Sequence, residues 1–435
     1  LSPYYWVYPS RTDFKQPYGM FSGAAQYRYT PDERTVFKLY AGYDRTSFSN
    51  YADADRHLFG LGENNVYLNT TFRKRAASGW NWFFGAAYSF YDRRVGGAVT
   101  GGDAWSERQQ ELHLKVRSFR QFTPWLRLDA GVETFIRSYR DYYRFELLYD
   151  ENRMYPTICA GFLSSIFYLS EHFKTELSFR PEYVSLNRRM NWSPRAAVSY
   201  AWNRLSISVV AGQYTQLPEN KYLIKNTALP SNICRQTLFS LQYEQSGRFY
   251  KAEFYYKNYK RLELSVPQGM VPDGYGHSKG VDLYFCDNAL WKNFEYRLSY
   301  SYNLSKRKYR EYTELTVPQY ATRHNVSLVL KYSVPRLRTI FSVTDRLASG
   351  RPYHNPELPG LMNDEVKPCH SLDLGLTVLA SKKVIVHASA TNLTGRKNEY
   401  GRINGQAVRA SSDRFFYLGV YITLGKKVAY DVSNF

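Results

Sequence analysis

Between Glu107 and Arg137 the chain writes two faces side by side, and any fold it adopts must give each face a different surrounding. Leu112, Leu114 and Val116 alternate with Glu111, His113, Lys115 and Arg117. After a tight turn predicted at Phe122-Thr123-Pro124, Leu126, Leu128, Ala130, Val132 and Ile136 alternate with Arg127, Asp129, Glu133 and Arg137. A period of two is a strand, so this is a hairpin with one apolar and one charged face. The pattern recurs along almost the whole chain, at Leu205/Ile207/Val209, Leu372/Leu374/Leu376 and Val384/Val386. No amphipathic helices accompany it that could cover the apolar side.

The 435 residues hold no Gly/Ser linker and no low-complexity tract, so they read as one domain over residues 1–425 with a tail at 426–435. Aromatics make up 17% of the chain, with 41 Tyr. Such side chains, apolar in body and polar at the tip, favour water-to-lipid boundaries. No run approaches the ~18 apolar residues a membrane helix needs. A membrane barrel stays open, because its strands are only half apolar. The net charge of +20 comes from Lys and Arg spread through strands and loops, not from one basic helix or stacking motif, which argues against nucleic acid. Cys159, Cys234, Cys286 and Cys369 are too far apart for a metal spacing, and no metal or cofactor is expected. Leu1 to Pro9 lacks the basic and apolar regions of a signal peptide, so a mature or truncated chain is expected.

Taken in order, short turns and long loops alternate. Short turns are predicted at residues 31–34, 76–79, 122–124, 170–173, 203–204, 246–247, 287–293, 335–336 and 381–382. Long loops are predicted at 46–62, 92–104, 138–155, 187–193, 215–234, 266–277, 305–322, 348–368 and 393–413. The count is about 19 strands. Short turns at one end and long loops at the other are the asymmetry of an outer-membrane barrel, periplasmic and extracellular respectively. The fold class is therefore all-β, a transmembrane antiparallel β-barrel. A soluble sandwich or propeller would have to bury as many strands while each kept a charged face. Parity adds an expectation: the strand at 20–30 descends into a short turn, so an ascending strand should precede residue 1, since a bacterial barrel closes with an even number.

Several stretches resemble one family, the TonB-dependent outer-membrane receptors of Bacteroidota type. They are Gln216-Leu217-Pro218-Glu219-Asn220-Lys221-Tyr222, Lys257-Asn258-Tyr259 with Arg261-Leu262, Gly276-His277-Ser278-Lys279-Gly280-Val281-Asp282-Leu283 and Arg323-His324-Asn325. Ser349-Gly350-Arg351-Pro352-Tyr353, Thr391-Asn392-Leu393 and Arg414-Phe415-Phe416-Tyr417-Leu418-Gly419-Val420 follow in order. The resemblance covers the second half by motif and the first 200 or so residues by pattern. It implies a barrel of about 22 strands, a plug inside it and a box that binds TonB. Plug, box and first strands are not seen here, so the resemblance implies that these residues are part of a longer protein.

The function implied is active, non-enzymatic import of a scarce large solute (ferric siderophore, haem or cobalamin class), powered by the TonB-ExbB-ExbD complex. Ligand contacts are expected from outer-loop residues Arg188, Arg189, Trp192, Tyr222, Lys225, Tyr309, Arg310, Tyr353, His354 and Arg402. Guanidinium forks suit carboxylates and catecholates, and aromatic rings stack on planar groups. The same residues could instead form a solvated rim or meet lipopolysaccharide phosphates, and a surface lipoprotein is a further possible partner. His57, His277 and His354 fall in outer loops and keep haem open, whereas His113 and His387 lie on charged strand faces as hydrogen-bonding groups. A passive porin is the alternative. A barrel enzyme, suggested by carboxylates such as Asp129 and Glu133, lacks a Ser/His/Asp constellation, and no catalytic residue is assigned.

Overall fold

The computed structural model describes residues 13–51, 58–97, 103–145, 148–403, 405–410 and 413–423. His57 and the tail at 426–435 lie outside the described residues. Among the described residues twenty strands belong to one antiparallel sheet, and the connections hold one short helix, Asn220–Leu223, and one 3-10 turn, Pro335–Leu337. No described helix is long and apolar enough to cross a membrane.

The chain divides into two compact units, one of Leu1–Ala197, Gly212–Cys234 and Arg261–Asp273, the other of Val198–Ala211, Arg235–Lys260 and Gly274–Phe435. In the first, Asp13–Asp32, Thr35–Tyr51, Leu58–Arg75, Asn81–Gly96, Ala104–Thr123 and Leu126–Phe145 run antiparallel, each to the next. Leu148–Met154 and Thr157–Tyr168 then share the partner Leu126–Phe145. The pairs Tyr139–Met154 and Ile136–Thr157 belong to one unbroken register, so these two pieces are one strand interrupted at Pro156. Proline has no N–H to give to the ladder, but its carbonyl still accepts the Arg137 N–H at 3.0 Å. With the two pieces joined, the sheet has nineteen spans, the number read from the sequence. In the second unit Phe294–Lys308, His324–Val334, Thr339–Ala348, Cys369–Ser381, Val384–Thr391 and Phe415–Ile422 follow the same order.

Alternation holds in the hairpin at 104–145. Val132 is 61% exposed on the apolar face, and Asp129 is 6% exposed on the polar one. The polar face is a charge ladder. Glu133 accepts from Lys115 at 3.1 Å and Arg180 at 2.9 Å, with His113 at 3.3 Å. Asp129 pairs with Arg117. Gly131 is required between them, because a methyl there would come within 2.5 Å of both the Phe162 ring and the Val116 carbonyl. Lys115 Nζ sits 5.2 Å above that Phe162 ring.

Boundaries differ from expectation in several places; the loop predicted at 46–62, for one, is strand to Tyr51 and again from Leu58. The turn is Pro124-Trp125, not Phe122-Thr123-Pro124, with strand to Thr123 and again from Leu126; Pro124 takes the second turn position, where its fixed φ fits. The loop predicted at 138–155 is the outer part of a hairpin, Leu126–Phe145 with Leu148–Met154. The loop predicted at 266–277 belongs to the strands Arg248–Val266 and Gly269–Asp287. The first segment mixes Tyr, Arg and Asp on both faces and the second is broken by Pro267, Pro272 and three Gly, so no period of two marks either, yet backbone pairing alone sustains a ladder.

The apolar face must tolerate hydrocarbon, so a charge on it has a measurable cost. Val132→Lys is expected to lower the urea-unfolding free energy in phospholipid vesicles by ~2–4 kcal/mol. An unchanged unfolding midpoint would show that this face does not meet lipid.

Candidate functional site

The long-loop end of the second unit carries the most developed polar site. Register places Ser301, Asn325, Ala348 and Cys369 in one cross-strand row, with Ser299, Ser327, Arg346 and Ser371 in the next. Both rows lie on the polar face, and nearly all of their side chains are short. The space they leave is a cavity of about 630 Å³. Arg351, Arg396, Asn398, Tyr400 and Asp413 also line it.

Hydrogen bonds fix the cavity wall. Arg346 pairs with Asp373, which also accepts from Ser371 Oγ at 2.6 Å and the Asn392 N–H at 2.8 Å. Asn398 clasps the backbone of His370, accepting its N–H at 2.9 Å and donating to its carbonyl at 2.8 Å. Arg396 donates to the Pro368 carbonyl at 2.7 Å. Arg351 lies 5.6 Å from the Tyr400 ring and has no carboxylate partner among the described residues. A guanidinium in such a place can take an anionic or oxygen-rich group in its fork.

The surrounding loops are fastened to one another. Thr316 Oγ1 donates to the Leu361 carbonyl at 2.9 Å, and the Leu361 N–H donates to Glu314 Oε1 at 2.5 Å. Asn363 Nδ2 donates to the carbonyls of Asn355 at 2.9 Å and Leu358 at 2.7 Å. Two short hairpins, Pro352–Tyr353 with Asp364–Glu365 and Glu399–Ile403 with Gln406–Arg409, replace what the sequence marked as plain loop. The Tyr353 hydroxyl donates to Asp364, with Asn355 Nδ2 at 3.1 Å. Those hydrogen bonds hold the Asp364 carboxyl below its ordinary range and push the Tyr353 phenol up. Arg409 at 2.6 Å and Arg402 at 3.3 Å likewise hold the Glu399 carboxyl low.

Five of the residues expected from sequence lie on this unit, in different settings. Arg402 lies 5.7 Å from the Tyr353 ring, and Tyr353 itself is only 8% exposed. Tyr309 is 5% exposed, packed edge-on against Tyr312 at 5.4 Å with Arg310 at 5.0 Å from its ring. His354 is exposed beside them in sequence.

The remaining expected residues lie in the first unit. Tyr222 is 6% exposed in a cluster with Tyr139, Met154, Leu223, Leu229 and Met270, so its ring packs the base of a loop. Lys225 is exposed one turn further on. Arg188 is an exposed turn residue with φ 54°. Arg189 and Trp192 were expected in a loop but belong to the strand Arg189–Trp202. Trp192 stacks on Phe179 at 5.6 Å and 13°, which puts it on the apolar face; Arg189, three residues away, is on the polar one. His277, expected in a loop, lies in the strand Gly269–Asp287 opposite Lys306. His113 and His387 sit on polar faces as expected, at 3.3 Å from Glu133 and 2.9 Å from Thr377 Oγ1. Among the described residues no three His, Cys, Asp or Glu converge on a point where a metal ion could sit.

Sequence reading missed Arg396, Asn398 and the role of Arg351. The signal was present in Ser349-Gly350-Arg351-Pro352-Tyr353 and Thr391-Asn392-Leu393, but only register shows that these stretches border one cavity.

No known sequence family matches the chain, and no curated protein does. Solved structures do. The chain is similar to the copper transporter OprC, with TM-score 0.76 and 13% identity, over 93% of this chain and 72% of that one. It is similar to the outer membrane transporter YddB from Escherichia coli, with TM-score 0.75 and 12% identity, over 93% of this chain and 68% of that one. It is also similar to the ferric yersiniabactin uptake receptor FyuA from Yersinia pestis, with TM-score 0.76 and 13% identity, over 93% of this chain and 71% of that one. The resemblance to TonB-dependent receptors read from the sequence is thereby borne out in the fold: nineteen amphipathic spans with short turns at one end and long, mutually fastened loops at the other have the architecture of the outer-membrane receptor β-barrel.

Proposed function

We propose that the protein imports a scarce, large solute across the outer membrane of a Gram-negative cell, with energy drawn from the TonB-ExbB-ExbD complex, and that its ligand is an anionic metal chelate of the ferric siderophore class. The observation that carries the ligand class is the cavity of about 630 Å³ lined by Arg346, Arg351 and Arg396. Catecholate and carboxylate chelates present planar, oxygen-rich, negatively charged edges, and guanidinium groups bind such edges with two parallel hydrogen bonds. The similar solved proteins named for copper and for ferric yersiniabactin support metal import as the class. Lipopolysaccharide phosphates at the loop rim and a surface lipoprotein belong to the same proposal as outer partners.

Haem has less support here. His354 is exposed, but His277 is tied into a strand, and axial ligation by imidazole needs a side chain free to approach the iron. The direct test deletes the gene and supplies single ferric siderophores, haem or cobalamin in turn. Growth lost on a ferric siderophore alone supports the reading, and growth retained on every iron source excludes it.

Arg351→Ala in the full-length protein is expected to weaken binding of the complementing ferric siderophore about tenfold, the value of one charge-assisted hydrogen bond. Fluorescence quenching titration reads this out. Affinity equal to wild type would move the binding site away from this cavity.

The loop fastening makes a pH prediction. Asp364 and Glu399 are both depressed by their partners in the folded loops. A depressed carboxyl stabilises above its unfolded pKa, ~3.9 for Asp and ~4.3 for Glu, and loses that contribution as pH falls through the folded value. Limited proteolysis of the loops at 348–368 and 393–413 should therefore be constant from neutral pH down to ~5 and accelerate below ~4. Acceleration between neutrality and pH ~5 would mean that other groups hold the loops.

A further inference from the structure

We propose that the apolar face of the first unit holds a glycerophospholipid at its short-turn end, with an acyl chain seated in a groove and the phosphate on Arg120. The inference rests on that face meeting lipid and is independent of what the protein imports.

The groove follows from residue size in successive cross-strand rows. One row runs Trp82, Ser118, Ala130, Leu163, Phe179, and the next begins Phe84, Val116, Val132, Gly161. Ser118, Ala130 and Gly161 form a low floor between taller walls, Trp82 on one side and Leu163 with Phe179 on the other. The hollow measures about 490 Å³.

The third row, toward the turn, pairs Arg120 with Leu128 and Leu128 with Ser165. Arg120 therefore shares the apolar face with the groove and lies two residues, roughly 7 Å, below Ser118. Its guanidinium lies 5.7 Å from the Trp80 ring and 5.4 Å from the Phe122 ring, which pack edge-on against each other at 5.6 Å. No carboxylate pairs with it among the described residues. Contact with aromatic rings does not use up the in-plane N–H groups of a guanidinium, which remain donors. A phosphate diester accepts from such a fork.

Position selects the lipid. In an outer-membrane barrel the short turns face the periplasm, and the leaflet on that side is built of glycerophospholipid, whereas lipopolysaccharide occupies the other leaflet. A cation beside two aromatic rings at headgroup level, with a chain-wide hollow running from it toward the membrane centre, matches a diacyl phospholipid in charge, order and spacing.

The test uses the protein extracted from outer membranes, its folded state verified by heat-modifiable mobility. Native mass spectrometry with added palmitoyl-oleoyl phosphatidylglycerol should show one tightly retained lipid. Arg120→Gln is expected to weaken its retention about tenfold, and Ser118→Phe, which fills the groove, by a similar factor. Diacylglycerol with the same chains should not be retained. Wild-type retention by both variants, equal retention of diacylglycerol, or a second copy of the protein on this face would each overturn the proposal. A measurement on the unsubstituted protein covers the case in which the variants do not fold. Phosphatidylglycerol brominated in its acyl chain should quench the Trp82 fraction of the fluorescence at lipid ratios too low to quench Trp192, and indiscriminate quenching would count against the site.

Discussion

Backbone pairing in a medium without water is the constraint on which this structure depends. Where one face of a sheet meets hydrocarbon, a backbone N–H or C=O that is not bonded to a neighbouring strand has no solvent to fall back on, at several kcal/mol per group. The ladder must therefore be continuous through the spans. The break at Tyr155-Pro156 shows how closely the chain keeps to this. The proline removes a donor, but register is the same on both sides of it and its carbonyl is still used by Arg137. The interruption lies beyond the apolar stretch Leu126 to Ile136, toward the long-loop end, where water can take the missing bond.

Continuous pairing fixes register, and register decides which side chains become neighbours. Neither the charge ladder around Glu133 nor the cavity beside Arg351 is a local motif. Glu133 meets Lys115 and Arg180 because three strands place them on one face. Asn325, Arg346 and Ser371 border one space because four strands bring them into adjacent rows. The polar face can hold so many charges because most carboxylates on it have a cation within reach. Arg351, with no carboxylate partner among the described residues, keeps its fork open to a ligand.

The same physics explains what could be read from the sequence. Where one face is apolar, alternation is forced, and the hairpin between Glu107 and Arg137, the span count and most of the short turns were legible. Beyond the apolar band both faces are wet, alternation lapses, and strands such as Leu148–Met154 and the start of Gly269–Asp287 look like loop. Trp192 was misplaced for the related reason that its strand begins among polar residues, so its stack on Phe179 was invisible without the neighbouring strand. Tyr222 and Tyr353 illustrate a different limit. Their chemistry suits a ligand, but packing against Leu223 and Met270, or a hydrogen bond to Asp364, commits the ring or hydroxyl to the loop itself. Composition cannot show which aromatic residues are already engaged.

The period of two also separates the two proposed binding functions. Arg117 pairs with Asp129 on the polar face, while Ser118 and Ala130, one residue along each strand, form the floor of the groove on the other. A slip of one residue would exchange the faces and carry Asp129, Glu133 and Arg117 into hydrocarbon, where a basic side chain alone costs ~2–4 kcal/mol at the midplane. The wall is thus specified many times over. The loops have no such penalty to hold them, and their arrangement depends on a few side-chain ties, Thr316 to Leu361, Glu314 to Leu361 and Tyr353 to Asp364. Ligand specificity can therefore change through these ties and the residues around Arg351 without disturbing the spans, whereas any change at the groove floor must still satisfy the strand that carries it.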